Sequence, residues 1–477
     1  NKSTLIAYPA NSREVQYDIP DSVTVISDWA FCDSKKLNRI TMPDSVNEIG
    51  EGVFSNCYSL EKITVDPENE TYSSDEWGIL YNKDKTEIVG YPAGNKRTTF
   101  VIPAHVEKVK RYAMQGTANL EYLTWLNPDM ELGLGAFSKA ESLYRVDVPE
   151  GTTFLIDWLF NACFSLVEVN LPDSLESLGS GVFHWCTSLE HIELPSGFKY
   201  IGNNAFRECY SLKSVVLPDS LVEIRGNAFQ QCFSLESIEI PESVVSIGDG
   251  AFFGCKNLAN VTLPKGLKEL GGGAFNGCAS LNEIIIPDGI KEISTARFMN
   301  CMSLETISIP KSVKKIGEHA FENCERLAEI SIPDTVEEIH GNAFENTKWY
   351  NDVESDFVII GRSVLYKYKG IEENVVIPDN VTTISMEAFS NNETIKSVII
   401  PGSVISIGVH AFSGCINLVD VTFPASIRDI GVGAFDDTKW LDDCKGDFLI
   451  IGKDILYRYI GTEKDVVIPK SVVHIAA

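Results

Sequence analysis

The chain has 477 residues, of which 44% are hydrophobic and 22% are charged, and this composition is ordinary for a folded protein. Its 67 acidic residues outnumber its 40 basic ones, so the formal net charge is −27. Because so acidic a surface repels phosphate groups, and because the sequence has no basic run, we expect no nucleic-acid partner. No stretch approaches the roughly 20 consecutive apolar residues that cross a bilayer, so we expect no membrane insertion in this segment.

A repeat of 23 residues starts near the N-terminus, where Pro20 and Pro43 mark its step. A phenylalanine follows most of these prolines 11 positions later, and a cysteine comes three positions after it, as in Phe252 and Cys255 after Pro241. The same step recurs at Pro149, Pro172, Pro195, Pro218, Pro241, Pro264, Pro287, Pro310 and Pro333, and again at Pro378, Pro401 and Pro424.

One repeat illustrates how each part shapes the chain. Residues 237–240 alternate polar and apolar side chains, which predicts a strand with one buried face. Pro241 lacks an N–H group and turns the chain at the end of that strand. Gly248 permits a tight corner, and residues 251–255 are predicted to form a short helical or 3₁₀ turn that closes the coil.

A single repeat cannot bury its own apolar face, whereas stacked repeats can, because each covers the next. The pattern therefore predicts a solenoid in which neighbouring strands form a parallel sheet with a spacing of about 4.8 Å. No linker interrupts the pattern, so we expect one continuous domain over residues 1–477. Residues 4–10 resemble 87–93, the end of a unit, and residues 469–475 also stop inside a unit. Both ends of the chain are therefore expected to be truncated.

Three units depart from the simple repeat and are predicted to be β-hairpins. They lie near residues 72–93, 357–370 and 448–461, and each has two apolar runs on either side of a short polar turn. The last two belong to a larger period of 91 residues, which also relates Trp349 to Trp440. These hairpins interrupt the solenoid but do not end it.

The motif Leu-x-x-Ile-x-Ile-Pro-x-Ser-Val-x-x-Ile-Gly-x-x-Ala-Phe-x-x-Cys resembles the BspA-like, or Treponema-type, leucine-rich repeat. The interspersed Gly-Ile-Leu-Tyr and Ser-Val-Leu-Tyr hairpins also resemble that family. The resemblance implies a right-handed curved solenoid, rich in β-structure, with its main parallel sheet on the concave side and short strands and helical or 3₁₀ turns on the other sides. It also implies an extracellular or cell-surface location, since members are typically bacterial surface or secreted proteins, several of them implicated in adhesion.

Some positions break the repeat. Arg297 stands where an alanine normally packs, Ser294 replaces the corner glycine, and Met114 replaces the phenylalanine. Such irregularities are either drift or binding features.

The cysteines share one position of the repeat and should form a column inside the coils. We expect reduced core thiols, since parallel Cβ directions disfavour bridging, with disulfides or a metal as the alternatives. No Cys-x-x-Cys pair is present, so the sequence supports no zinc site. The members of the column are Cys163, Cys186, Cys209, Cys232, Cys255, Cys278, Cys301 and Cys324.

The motifs of common enzymes are missing from the sequence. It has neither a His-Glu-x-x-His pair nor a Gly-x-Ser-x-Gly elbow, and its glycine-rich run at residues 271–277 lacks the lysine of a phosphate loop. We therefore expect no catalytic residue, no metal and no cofactor, and we expect that the protein is not an enzyme.

Two surfaces are candidates for binding. The first is the solvent side of the strands before each proline, which is polar and acidic and either binds a basic partner or is only hydrated. Its candidate residues are Arg145, Glu168, His191, Glu193, Glu239, Glu283 and Glu329. The second is a set of hairpin aromatics, which either face a partner or pack on the solenoid. These are Tyr81, Tyr366, Tyr368, Tyr457 and Tyr459.

The sequence thus predicts a binding protein that presents a curved surface to a protein partner, whose identity is open. An extracellular matrix protein or another cell surface would suit the implied adhesion. The alternative is a structural spacer or stalk within a larger surface protein.

Overall fold

The structure is a computed structural model that describes residues 3–361, 363–452, 454–459, 461–462 and 466–476. The chain divides into two compact units, residues 1–281 and residues 282–477, which we call unit 1 and unit 2. Each unit is a stack of coils with its own buried apolar interior. The expectation of one continuous domain over residues 1–477 stays a prediction.

Unit 1 consists of strands joined by turns. In chain order they are β1 (Thr4–Leu5), β2 (Gln16–Asp18), β3 (Val25–Ile26), β4 (Arg39–Met42), β5 (Glu48–Ile49), β6 (Lys62–Val65), β7 (Tyr72–Ser74), β8 (Leu80–Asn82), β9 (Glu87–Gly90), β10 (Thr99–Ile102), β11 (Lys108–Val109), β12 (Tyr122–Trp125), β13 (Glu131–Leu132), β14 (Arg145–Asp147), β15 (Phe154–Leu155), β16 (Glu168–Asn170), β17 (Ser177–Leu178), β18 (His191–Glu193), β19 (Tyr200–Ile201), β20 (Ser214–Val216), β21 (Glu223–Ile224), β22 (Ser237–Glu239), β23 (Ser246–Ile247), β24 (Asn260–Thr262) and β25 (Glu269–Leu270).

Unit 2 adds two helices of four residues each to the same pattern. In chain order its elements are β26 (Glu283–Ile285), β27 (Glu292–Ile293), β28 (Thr306–Ser308), β29 (Lys315–Ile316), β30 (Glu329–Ser331), β31 (Glu338–Ile339), α1 (Lys348–Asn351), β32 (Phe357–Ile360), β33 (Val364–Tyr368), β34 (Asn374–Val376), β35 (Thr383–Ile384), β36 (Ser397–Ile399), β37 (Ser406–Ile407), β38 (Asp420–Thr422), β39 (Asp429–Ile430), α2 (Lys439–Asp442), β40 (Phe448–Ile451), β41 (Ile455–Tyr459) and β42 (His474–Ile475).

Each regular coil contributes one longer strand before its proline and one two-residue strand after it. Equivalent strands pair in parallel at the repeat step, as β22 does with β24, where Ser237 lies opposite Asn260. Within such a strand the middle residue is buried and its neighbours are exposed, as for Ile238 between Ser237 and Glu239. The predicted solenoid of stacked parallel coils is therefore confirmed.

The longer strands and the short strands form separate sheets, and the strands of the hairpin units (β7, β8, β9, β32, β33, β40 and β41) join the sheets of the short strands. In unit 1 the longer strands pair in the orders β2-β4-β6, β10-β12-β14-β16, β18-β20 and β22-β24, and the short strands in β1-β3-β5, β13-β11-β9-β8-β7 and β15-β17-β19-β21-β23-β25. In unit 2 the longer strands pair as β26-β28-β30 and β34-β36-β38. The short ones pair as β27-β29-β31, β32-β33-β35-β37-β39 and β40-β41-β42.

The closing segment of each coil differs from the helical or 3₁₀ turn expected from the sequence. Residues 250–255 form successive turns, in which the N–H of Phe253 bonds the carbonyl of Gly250 and the N–H of Cys255 bonds that of Phe252. Gly250 and Gly254 have φ values of 61° and 71°, which a right-handed helix excludes. The N–H of Phe252 instead donates to Ala274 of the next coil at 2.9 Å. Bonding between coils therefore replaces helical bonding.

The corner glycine is required by the close approach of neighbouring coils. A Cβ atom on Gly248 would lie 2.5 Å from the amide nitrogen of Gly226 and 2.8 Å from the carbonyl carbon of Arg225. Both contacts are to backbone, which cannot turn aside, so this position favours glycine.

A stack of phenylalanine rings fills the centre of the coils. In unit 1 the centroids of successive rings from Phe137 to Phe275 lie 5.3 to 5.7 Å apart. In unit 2 the rings of Phe298, Phe321 and Phe344 repeat this stack at 5.5 and 5.4 Å. Each ring thus fills the space between its two neighbours, and the stack couples the packing of one coil to the next.

The repeated cysteines are free and buried beside this stack. The thiol of Cys255 donates to the carbonyl of Phe229 at 3.0 Å, and the thiol of Cys186 donates to Phe160 at 3.3 Å in the same way. Burial raises the pKa of Cys163 and Cys255 from 9.0 to about 12. These residues therefore act as small core residues that also satisfy a carbonyl group.

The two irregular positions Arg297 and Ser294 compensate for each other. The side chain of Arg297 is only 2% exposed. Its Nη1 donates to the carbonyl of Glu292 at 2.6 Å, and its Nη2 donates to the hydroxyl of Ser294 at 2.7 Å. The serine that replaces the corner glycine thus supplies an acceptor for the arginine that replaces the alanine.

Truncating one ring of the stack should destabilise unit 1. We expect Phe252→Ala to lower the free energy of unfolding by about 3–5 kcal/mol, because it leaves a cavity between two rings. Phe253→Ala is the matched control, since Phe253 is only half-buried and should cost less. Chemical denaturation measures both, and equal losses would show that the stack has no special role.

The buried thiols predict a pH dependence of stability. Below pH 9 the thiols are protonated in both states; as the pH rises from 9 towards 12, the unfolded chain loses protons that Cys163 and Cys255 retain. The free energy of unfolding should therefore fall over this range. Cys255→Ser removes one titrating group, and we expect a slope shallower by about 1.4 kcal/mol per pH unit. An unchanged slope would contradict a raised pKa of Cys255 in the folded protein.

Candidate functional site

In each unit the outward side chains of the longer strands form a surface, and we call this surface the long-strand face of that unit. Alternation places an inward residue between two outward ones in the three-residue strands, as the buried Val146 lies between Arg145 and Asp147. Because equivalent strands pair in register, outward residues of successive coils form rows across the face. All seven residues predicted for the first candidate surface lie on these faces.

Arg145 is the centre of a polar cluster in unit 1. Its Nε and Nη2 donate to the two carboxylate oxygens of Asp147 at 3.0 and 3.1 Å. Asp147 also accepts from the hydroxyl of Tyr122 at 2.8 Å and from the amide of Asn170 at 2.6 Å. Burial by itself would raise the pKa of Asp147, but these hydrogen bonds outweigh it and lower the pKa. The cluster is therefore fixed in place by a carboxylate that stays charged.

Two tyrosines frame this cluster and form a shallow groove with a volume of about 720 Å³. The guanidinium of Arg145 lies 5.8 Å from the ring centroid of Tyr122. Tyr144 is 47% exposed, and its hydroxyl donates to Glu168 at 3.3 Å. Tyrosine and arginine are the side chains that most often carry the binding energy of protein interfaces. The groove thus holds an arginine and two aromatic rings in one open, preorganised surface.

Sequence reasoning found Arg145 and Glu168 but missed Tyr122 and Tyr144. The proline after β12 is Pro128, two positions later than the repeat predicts, so counting back from prolines passed over that strand. Counting 23 residues back from Arg145 leads to Tyr122, its neighbour in the parallel pair. The repeat step was therefore the signal that could have found this residue.

The other predicted residues of unit 1 do not join this cluster. His191 is exposed, and its Nδ1 lies 2.7 Å from the hydroxyl of Ser214. Glu193 is exposed in the pair β18-β20, and Glu239 is exposed in the pair β22-β24. Their carboxylates extend the acidic character of the face but form no common site.

The long-strand faces also carry apolar side chains that the sequence reasoning left out. Val216 in unit 1 is 55% exposed, and Ile285 in unit 2 is 71% exposed. Both occupy the outward position two residues before a proline. In unit 2, Glu283 and Glu329 occupy the same register on either side of Thr306.

The hairpin tyrosines lie largely in the interior. Tyr81, Tyr366 and Tyr368 are buried, and Tyr457 and Tyr459 are half-buried. The hydroxyl of Tyr366 accepts the N–H of Phe344 at 3.1 Å, and its burial raises its pKa. The hydroxyl of Tyr457 accepts the N–H of Phe435 at 3.0 Å. The rings of Tyr366 and Tyr457 thus pack edge-on against Phe344 and Phe435.

A second group of exposed aromatic side chains lies near the closing turns of unit 1. The exposed members are Phe164, Trp185 and Tyr210. The indole N–H of Trp185 and the hydroxyl of Tyr210 both donate to Glu208. Burial would raise the pKa of Glu208, but these bonds lower it overall. The carboxylate thus serves to hold the two rings in place.

Within the described ranges, no three His, Cys, Asp or Glu side chains converge as metal ligands would. None of the helices in this part of the chain has the length and apolar character needed to span a bilayer.

The chain belongs to the BspA-type leucine-rich repeat family. The model of the BspA type leucine rich repeat region matches residues 10–82, 107–235, 222–351 and 353–476, which together cover most of the sequence. The resemblance seen in the repeat motif is therefore confirmed. Among curated proteins, none matches this chain.

Several solved structures of bacterial leucine-rich repeat proteins are similar to this chain. A leucine rich cell surface protein from Faecalibacterium prausnitzii is 29% identical, over 69% of this chain and 89% of that one, with a TM-score of 0.42. A leucine-rich repeat protein from Eubacterium ventriosum is 26% identical, over 50% and 76%, with a TM-score of 0.43. One from Bacteroides ovatus is 24% identical, over 95% and 89%, with a TM-score of 0.45. Since these TM-scores lie below 0.5, the family assignment rests on the family model.

Proposed function

We propose that this protein is a non-catalytic binding module that recognises a protein partner through its long-strand face. The observation that carries the proposal is the groove at Arg145, where Tyr122 and Tyr144 flank a guanidinium that Asp147 holds in place. A fixed arginine beside an aromatic ring loses little conformational entropy on binding, so it suits the centre of a protein interface.

We further propose an extracellular or cell-surface location and a role in adhesion. Membership of the BspA-type family supports this, as does the similarity to a protein described as a leucine rich cell surface protein. The net charge of −27 favours a partner with a basic surface, because like charges would slow the encounter of two acidic proteins.

A surface binding titration against fibronectin, fibrinogen and other extracellular matrix proteins at physiological salt tests the proposal. We expect saturable binding that Tyr144→Ala combined with Arg145→Ala weakens by about 30-fold or more, since a pair of central residues typically contributes at least about 2 kcal/mol.

The matched control removes the same residue types from another face of unit 1. Tyr200 is exposed on a short strand, and Arg225 lies 5.9 Å from its ring centroid. Tyr200→Ala with Arg225→Ala should leave the affinity unchanged. Equal losses in both double variants would move the binding site away from the Arg145 groove. Binding that tolerates every surface variant, or no binding across the panel, would favour the spacer role instead.

A further inference from the structure

We propose that unit 2 carries two equivalent grooves, 91 residues apart, that each bind an extended peptide segment containing lysine or arginine beside an aliphatic residue. This inference rests on the proposed function, because it names the chemistry of a partner for the long-strand face. Its basis is separate, since the Arg145 groove lies in unit 1 and both of these grooves lie in unit 2.

The first groove, which we call the α1 groove, runs over β26, β28 and β30 and has a volume of about 520 Å³. Its floor is polar at Thr306 and Ser308, and Ile285 lies exposed at one side. Glu283 and Glu329 stand in one register, two strands apart. The groove therefore combines an unusually exposed aliphatic side chain with two carboxylates.

Helix α1 closes this groove beside the edge strand β30. Thr347 occupies the position of the repeated cysteine; its hydroxyl donates to the carbonyl of Phe344 and accepts the N–H of Tyr350, so it caps the helix. The backbone N–H of Trp349 then donates to the carbonyl of Leu327 at 2.7 Å, and its ring packs edge-on against Phe344. The indole is thus fixed as one wall of the groove.

A second surface, which we call the α2 groove, presents the equivalent positions on β34, β36 and β38. Thr438 caps α2 through the N–H of Leu441, and the N–H of Trp440 donates to the carbonyl of Leu418 at 2.7 Å. Val376 and Ile399 are 62% and 47% exposed on its face. Exposed aliphatic side chains and a helix that carries a tryptophan therefore occur at both places.

The two grooves differ in charge. Asp420 stands at the position of Glu329, whereas Asn374 stands at that of Glu283, so the α2 groove has one carboxylate fewer. Among the described residues, Glu283, Glu329 and Asp420 have no basic side chain within ion-pair distance, unlike many other carboxylates of the chain, such as Glu337 and Glu373. They are therefore free to pair with cations of a ligand.

The spacing of the carboxylates fits an extended peptide. Strands in a sheet lie about 4.8 Å apart, so Glu283 and Glu329 are separated by about 10 Å. An extended chain advances about 3.3 Å per residue and points every second side chain to the same face, so two lysines four residues apart face the groove together about 13 Å apart, and their flexible stems close the difference. An aliphatic residue between them would then reach Ile285, and the stem of a lysine would lie on the ring of Trp349.

The test is a calorimetric titration of the whole chain with a blocked nonapeptide that has two lysines four residues apart, a valine midway between them, and valines and serines elsewhere. We expect about two binding sites per chain, with the α1 groove the tighter of the two. Replacing Glu283 and Glu329 by glutamine should weaken that tighter site about tenfold or more, since two charge-assisted contacts are lost. Asp420→Asn should weaken only the other site.

The matched control is Glu193→Gln with Glu239→Gln. It removes two exposed carboxylates from the long-strand face of unit 1, and the described residues of that unit include no helix. We expect the peptide affinity to stay within about twofold of the starting value. A peptide with glutamines in place of the lysines should not bind.

Two results would overturn the inference: no saturable binding at millimolar peptide, or equal weakening by the control pair, which would show only general attraction to an acidic surface. Failure here remains distinct from failure of the proposed function. If only the groove proposal is wrong, binding to matrix proteins should still depend on Tyr144 and Arg145. If only the proposed function is wrong, the peptide should still bind at the grooves although no matrix protein binds.

Discussion

The structure depends on backbone hydrogen bonds between successive coils, at a step of 23 residues. In a helix each N–H finds its acceptor in its own turn, but here the N–H of Phe252 must reach the next coil. A coil therefore satisfies only some of its own polar groups, and the rest depend on close contact with the neighbouring coils. The corner glycines remove the Cβ atoms that would separate the backbones, and the phenylalanine rings fill the space that remains.

Most of this architecture could be predicted from the sequence because a strict repeat makes one local solution apply many times. The alternation at residues 237–240 and the position of Pro241 were enough to predict the parallel strands. The closing turns were harder to predict, since Ala-Phe-x-x-Cys has the spacing of a helical turn. The segment does not form a helix, because its N–H groups bond to the neighbouring coil and because Gly250 has a positive φ. Neither feature can be predicted from the sequence of a single repeat.

The candidate surfaces could be predicted only in outline. The sequence indicated which face of the strands is outward, but not which side chains share a cluster. Tyr122 was missed because the proline after its strand is displaced, and the hairpin tyrosines were ambiguous because an aromatic ring with a polar tip suits either environment. The capped helices α1 and α2 have no counterpart in the regular repeat, and each is capped by a threonine, Thr347 or Thr438, at the cysteine position.

The hairpins show how the chain accommodates an interruption. Strand β33 belongs to an antiparallel hairpin, yet its residue Val364 pairs in parallel with Thr383 of the following coil. The hairpin thus returns the chain to the register that the next coil needs. The 91-residue block begins and ends in the same register. Duplicating or deleting one block would therefore change the length of the protein, while every remaining coil would keep a neighbour with which its strands can pair.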